Sequence, residues 1–404
     1  MIKSIHLENF NTFNKKIELY LDADNRIKKF PTNISNNILK TCVIFGPNNT
    51  GKTQIIKGIK AIKKTLLNIS NPITPNLFTN DNTSKLGIKF NYNNNDYNYE
   101  FWKNLNDGYV YEKFSLINKN KEEIIFIKDT LKKTYSCKND KNLEKAMKNT
   151  SNSNILIYTI NTENFKLLDK IKNILNEIAN KIEIIDMNKI NDTKTIELLK
   201  NKNNRNEKIV SFIKNADLFL ENFYYDDEAS LLKGDTFNKI IETNQNNHKI
   251  DQLKLVSVYN GYKVPSAFFD SLGTAKIAAL ASYIIEALEE GKYLFIDELD
   301  SSLHFKLTRA IISMFHSNLN EKAQLVCTLH DISLLDIKNL FRKDQIWFTD
   351  KNKEGATLFS LKEFSYDETG VRETSDIQEK YKKGILGAIP EPDLIATLLD
   401  FDNE

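Results

Sequence analysis

"TCVIFGPNNTGKT", residues 41 to 53, is the stretch on which the fold of this chain turns. The first five residues form an apolar run that reads as a buried strand. The next eight satisfy the pattern G-x-x-x-x-G-K-[ST] at Gly46, Gly51, Lys52 and Thr53. A helix-periodic segment follows from about 52 to 68, with Ile55, Ile56, Ile59, Ile62, Leu66 and Leu67 on one face. Strand, glycine-flanked loop and helix in that order are the context in which this pattern cradles phosphate. Glycine lets the backbone curl until amide hydrogens and a helix N-terminus point at phosphate oxygens. The loop of Gly46, Pro47, Asn48, Asn49, Thr50, Gly51, Lys52, Thr53 and Gln54 is therefore the expected nucleotide-binding segment. Lys52 is expected to reach the terminal phosphates and Thr53 to hold Mg2+.

Working outward from the loop, residues 2 to 7 and 17 to 21 alternate apolar and polar and read as a hairpin turned at "NFNTF". From 86 to 128 the period is two, broken by Asn, Asp and Gly clusters, which predicts an antiparallel meander. "NILIYTI" (154–160) reads as a further strand. Between about 162 and 262 the character changes. Phe165, Leu168, Ile171, Leu175, Ile178 and Ile182 form a seam-like stripe on one helix, and "IVSFIKNADLFLENF" (209–223) reads as another. After 263 the pattern alternates: helix 274–290, strand "YLFID", helix 303–317, strand "QLVCTLH", a short helix, and strands "QIWFT" and "ATLFSL". The chain divides accordingly into 1–160, a mainly helical insertion at 161–262 with room for a short coiled coil, 263–390, and an acidic, apolar tail at 391–404.

Three further segments carry chemistry. "YLFIDELD" (293–300) ends an apolar strand in two carboxylates, and ligands of open α/β sheets bind beyond the carboxyl ends of strands. Asp297 is expected to hold Mg2+ through water or Thr53, and Glu298 to polarise the water that attacks the γ-phosphate. His330, closing "QLVCTLH", is placed where a donor could sense that phosphate. Ser271, Gly273 and Thr274 open a helix whose free amides and positive dipole end favour an anion. The loop at 46 already serves its own subunit, so the ligand expected here is the γ-phosphate held by a second copy of the chain. Arg309 and His316 show an R-x6-H spacing, but both fall on a helix that packs on the sheet, where a structural role suffices.

Composition narrows the classes. A chain of 404 residues with 41% apolar content can bury large cores. No apolar run approaches the roughly 20 residues needed to cross a bilayer, and the N-terminus lacks a secretory layout, so a cytoplasmic location without membrane contact is expected. Three scattered cysteines, Cys42, Cys137 and Cys327, offer neither a disulfide framework nor a zinc spacing. A net charge of +2 does not by itself make a nucleic-acid binder, and DNA or RNA is left open as a ligand.

The order of loop at 46, signature at 271, carboxylates at 297 and 298 and histidine at 330 resembles the ABC-type ATPases of the SMC and RecF branch. "IKSIHLENFNTF", "DELDSSLH" and "YKKGILGAIP" look more specifically like the OLD-like abortive-infection ATPases of the AAA-fifteen group, related to RloA, AbiLi and the ATPase of PARIS systems. The resemblance implies an α/β P-loop NTPase fold of ABC/SMC-like type, a mixed sheet with helices and an antiparallel β subdomain, carrying a helical insertion. It also implies ATP as the nucleotide, hydrolysed with Mg2+, a homodimer or larger assembly that sandwiches ATP, and a D-loop at Ser301 to His304. The expected role is anti-phage defence in which the dimer controls a separate effector, a nuclease of Toprim or other type. The family's Q-loop glutamine has no counterpart; Asn161 and Asn164 are the nearest substitutes. Two other readings remain open: a nucleotide-gated scaffold that restrains a toxin with little turnover, and a RecF-like DNA repair ATPase.

Overall fold

The computed structural model describes the whole chain except residues 119–120, 202–203, 217–218, 229–230, 232–246, 365–370, 373–374 and 390–404. The acidic, apolar tail at 391–404 lies outside the described residues. The described chain forms two compact units. One comprises residues 2–179 and 328–404 and contains the phosphate loop; the other comprises 180–327, with Met1, and contains the carboxylate pair.

The loop unit begins with β1 (Ile2–Glu8) and β2 (Ile17–Tyr20), followed by the short β3 (Ile34–Ser35) and β4 (Ile38–Leu39), β5 (Thr41–Phe45) and α1 (Lys52–Leu66). The meander is β6 (Thr83–Tyr92), β7 (Asn95–Asn104), β8 (Gly108–Asn118), β9 (Lys121–Asp129) and β10 (Thr134–Cys137). Then come α2 (Lys141–Lys148), α3 (Leu156–Thr159) and α4 (Lys166–Lys181), whose last turn reaches the unit border. The carboxylate unit runs through β11 (Ile182–Asp186), α5 (Thr193–Lys200), α6 (Asn206–Ala216), β12 (Leu220–Tyr225), α7 (Asn247–Leu253), β13 (Leu255–Tyr259), β14 (Tyr262–Pro265), α8 (Ser266–Phe269), α9 (Leu272–Glu290), β15 (Tyr293–Asp297), α10 (Phe305–His316) and β16 (Gln324–Thr328). The chain returns to the loop unit for β17 (Ile346–Asn352), β18 (Gly355–Ser360) and α11 (Ile377–Lys382).

Hairpin and meander join in one antiparallel sheet of order β10-β9-β8-β7-β6-β1-β2. Its long strands alternate inward and outward residues; Tyr99, Phe101, Phe114 and Phe126 fill the inner face. Helix α1 buries Ile55, Ile56, Ile59, Ile62 and Leu66. Gly58 is what lets α1 lie close to β1, since a Cβ there would come 2.4 Å from Leu7 Cδ1. In the same unit β5 pairs parallel with β17, and β17 antiparallel with β18, so this sheet is mixed. The architecture is that of a P-loop NTPase, α/β with a mixed sheet, helices and an antiparallel subdomain.

In the carboxylate unit β11, β15 and β16 run parallel, with Asp186 opposite Asp297 and Ile296 opposite Cys327. Helix α9 is apolar nearly all round and supplies Ala278, Ala281 and Ile285 to a core with Ile196, Leu199, Ile209, Ile213, Leu220, Phe223 and Leu255. An element buried on several sides needs no polar face, which accounts for its composition.

Three expectations require correction. "NILIYTI" is not a strand: Leu156–Thr159 is a short helix, and Ile155, Leu156 and Ile157 are all buried. The amide of Leu156 donates to the Glu112 carboxylate at 2.8 and 2.9 Å, not to a neighbouring strand. The segment 209–223 is not one helix, because α6 ends at Ala216 and Leu220–Tyr225 pairs with β13. The stretch 161–262 also holds β11, which takes Ile182 out of the helical stripe of α4, and an antiparallel sheet of order β12-β13-β14. Short apolar runs fit either period until a pairing partner decides between them.

Candidate functional site

In the loop unit the chain leaves β5 at Phe45 and turns sharply, with positive φ at Gly46, Asn49 and Gly51. The left-handed turn at Gly51 serves as the N-cap position of α1, and no side chain caps that helix. An uncapped helix start facing a glycine-flanked loop is suited to an anion. Lys52 is buried and donates to the carbonyl oxygens of Gly46 at 2.6 Å and Pro47 at 2.9 Å, so its ammonium is held inside the curl of the loop. The Thr50 hydroxyl is within 2.8 Å of the Pro47 carbonyl and 2.7 Å of the Thr349 hydroxyl. Thr349, fully buried in β17, is a supporting residue that sequence reasoning missed. It stands 303 residues from Gly46, and only the parallel pairing of β5 with β17 brings the two together.

Phe13, from the turn between β1 and β2, packs on the loop from the other side; a Cβ on Gly51 would meet its ring at 3.0 Å. Asn11 from the same turn donates to Gln54 Oε1 at 3.0 Å. Beyond Gln54 lies a groove of about 690 Å³, lined in part by Phe10, Asn11, Lys57, Lys60, Lys64 and Lys351. His330 belongs to this unit as well: the Leu329 amide donates to Ile44 O at 3.0 Å, and the histidine that follows is exposed.

In the carboxylate unit Asp297 is buried at the end of β15, and Glu298 turns away with φ of +55°, a conformation uncommon for a residue with a Cβ. The Ser301 amide donates to Glu298 O at 2.8 Å, closing the turn. Glu298 Oε2 accepts from Asn188 Nδ2 at 2.6 Å. Neither Asn188 nor the buried Lys276, which donates to Ser301 Oγ at 3.0 Å, has a local sequence signature.

Ser271 is the N-cap of α9, its Oγ accepting from the Thr274 amide at 3.1 Å and lying 2.9 Å from Thr274 Oγ1. Gly273 faces the turn after the carboxylates, since a Cβ there would come 3.1 Å from Ser302 O. Ser271, Gly273 and Thr274 share a groove of about 660 Å³ with Ser302, His304 and Lys306. Phe268, Phe269 and Leu272, close in sequence to Ser271, are more than 60% exposed.

Structure therefore gathers the residues singled out from sequence into two sets, the loop residues with His330 in one unit and Ser271, Gly273, Thr274, Asp297 and Glu298 in the other. Among the described residues no cluster of three or more His, Cys, Asp or Glu side chains is arranged for a metal. Mg2+ keeps several waters and draws on one or two protein oxygens plus phosphate, a mode of binding that needs no such cluster. Arg309 and His316 lie on α10, and His316 is buried, in keeping with a structural role. No helix of the described residues is long and apolar enough to cross a membrane.

A family model described as "AAA domain, putative AbiEii toxin, Type IV TA system" matches residues 42–336. No curated protein matches the chain. Among solved structures, the SMC head domain from Thermotoga maritima aligns at 12% identity over 89% of this chain and 98% of its own, with a TM-score of 0.43. An SmcHead bound to the C-winged helix domain of ScpA aligns at 12% identity over 89% and 97%, with a TM-score of 0.48. The Smc head domain with an extended coiled coil bound to the C-terminal domain of ScpA, derived from Pyrococcus furiosus, aligns at 10% identity over 89% and 96%, with a TM-score of 0.43.

Proposed function

The chain belongs to the AAA-domain family whose description names a putative AbiEii toxin, and on that premise we propose that it is a Mg2+-dependent ATPase working as a nucleotide-sandwiched dimer. The observation that carries the reading is the start of α1, which has no side-chain cap and opens on the curled loop that holds Lys52. A bound nucleotide supplies the anion for that helix end and the γ-phosphate to be cleaved. Lys52 would exchange its two carbonyl acceptors for phosphate oxygens, a stronger, charge-assisted set. Thr53 and Asp297 are assigned to the magnesium side of the site, Glu298 to the attacking water and His330 to the γ-phosphate. Positioning and charge stabilisation then provide most of the rate.

Dimerisation is supported by the groove at Ser271 and the exposed apolar side chains close to it in sequence. The helix α9 start of one protomer would meet the triphosphate of the other, with Ser271 donating its hydroxyl and Gly273 permitting close approach. The likeness of the start and end of the chain to OLD-like abortive-infection ATPases extends the proposal to anti-phage defence, with the dimer controlling a separate effector nuclease.

Steady-state turnover and light scattering test the core of this reading. Glu298→Gln should lower ATP turnover by roughly 100-fold or more, as loss of a group that acts on the attacking water does, while ATP binding and nucleotide-dependent dimerisation persist. Turnover unchanged in this variant would remove Glu298 from the chemistry.

A further inference from the structure

We infer that Asn188 is a positioning residue for Glu298 and that it ties this carboxylate, through Ser301 and Lys276, to the helix that begins at Ser271. The inference rests on the assignment of Glu298 to the attacking water. Its parts all lie in the carboxylate unit.

Asn188 follows β11, whose parallel pairing with β15 sets Asp186 opposite Asp297. The Met187 amide donates to Asp297 O at 3.1 Å, the Asn188 amide to Asp186 Oδ1 at 3.0 Å and the Lys189 amide to Asp186 O at 2.9 Å, so the backbone on both sides of the side chain is fixed. Asn188 Nδ2 then donates to Glu298 Oε2 at 2.6 Å, while Asn188 Oδ1 accepts from Ser301 Oγ at 2.8 Å. Using both ends of the amide removes the ambiguity of its flip, since only this orientation gives the carboxylate a donor and the hydroxyl an acceptor.

Ser301 is held in turn. Lys276 Nζ donates to Ser301 Oγ at 3.0 Å, to Ser301 O at 3.3 Å and to Ser302 Oγ at 3.2 Å. Lys276 lies one turn into α9, and its side chain is buried, so its ammonium is confined to this turn. Glu298 and Ser302, at the two ends of the segment, both have positive φ. Such backbone persists only where its surroundings over-determine it, and the run from Lys276 through Ser301 and Asn188 supplies that constraint. A displacement of the α9 start, where Ser271 and Gly273 line the groove, is thereby transmitted to the carboxylate through three hydrogen-bonded side chains. Contact at that groove would set the position of Glu298.

The test compares Asn188→Ala, Ser301→Ala and the double variant in the 404-residue chain, measuring kcat and KM for ATP. Asn188 is exposed, so its truncation leaves no cavity and the variant should fold. Loss of a hydrogen bond to a charged group predicts a fall in kcat of about tenfold for Asn188→Ala. KM should stay within twofold, a split that a general loss of folded protein would not give. The double variant should lose no more than the worse single variant, since both break one chain of contacts. Asn188→Asp, which sets a second carboxylate against Glu298, should fall below Asn188→Ala. A kcat for Asn188→Ala within twofold of the parent, or additive losses in the double variant, overturns the inference while leaving the ATPase reading intact. Turnover that is absent, or indifferent to Glu298→Gln, overturns both.

Discussion

The hydroxyls of Thr50 and Thr349 stand 2.7 Å apart, joining the phosphate loop to a strand nearly 300 residues further along the chain. Thr349 also closes the space beside Gly46: a Cβ on that glycine would fall 2.4 Å from Thr349 Oγ1 and 2.5 Å from Thr349 O, and the glycine's own φ is +151°. Gly46→Ala is therefore expected to displace the loop and abolish nucleotide binding, because one of the clashing atoms is backbone and cannot rotate away. Thr349→Val keeps the shape, removes the hydroxyl and leaves the Thr50 hydroxyl its Pro47 acceptor. It should cost about 1 kcal/mol of stability, read as a lower urea midpoint, and weaken nucleotide binding several-fold in a calorimetric titration. Unaltered affinity in Thr349→Val would show that the loop holds its shape without β17.

Ser271 caps α9 and is proposed to meet the second protomer, and two substitutions divide the observed role from the proposed one. Ser271→Ala removes the acceptor for the Thr274 amide and should destabilise the fold by about 1 kcal/mol, the usual cost of a lost N-cap. Ser271→Arg sets a long cation into the groove shared with Gly273, Ser302 and His304. It should block nucleotide-dependent dimerisation and with it turnover, while a single protomer still binds ATP. Light scattering with and without ATP checks this; a Ser271→Arg protein that dimerises and turns over normally would place the second protomer elsewhere.

Two buried titrating groups in the loop unit pull stability in opposite directions with pH. Burial pushes the Glu112 carboxyl up to about 7, against the Leu156 amide, Lys128 and the Tyr99 hydroxyl, which favour its charged form. A carboxyl with a raised folded pKa contributes stability that is fully present below its ordinary value and lost as pH rises through about 7. Burial pulls His6 down to about 4, with Glu100 and Glu18 opposing that shift and Lys16 and Lys89 adding to it. A base held neutral contributes stability that is present above its ordinary value and lost as pH falls toward 4. Each shift corresponds to on the order of 3 kcal/mol, so the two nearly cancel between about pH 4.5 and 6.5, where both windows overlap. Glu112→Gln should raise the urea midpoint at pH 8 and expose the acid sensitivity due to His6, giving a midpoint that falls steadily below pH 6.5. A lower midpoint at pH 8 would mean that the fold depends on a charged acceptor for the Leu156 amide.

The sequence determined the local chemistry. Gly46, Gly51, Lys52 and Thr53 announce a phosphate loop because only glycine takes those backbone angles at low cost and only a helix start offers such a row of amides. The period-two meander, the apolar strand ending at Asp297 and the helix that opens after Ser271 were legible for the same reason, since each is written within ten residues or so, whereas the capping of the Thr274 amide by Ser271 was not expected.

Tertiary structure decided whatever depends on partners distant in sequence. "NILIYTI" became a helix because a carboxylate 44 residues away takes the Leu156 amide, and Leu220–Tyr225 became a strand because β13 pairs with it. Thr349 against the phosphate loop, and Asn188 between Glu298 and Ser301, carry no motif of their own. A hydrogen bond between residues a hundred or more positions apart has no period and no local preference to betray it; it exists only once sheet register has set both ends within 3 Å.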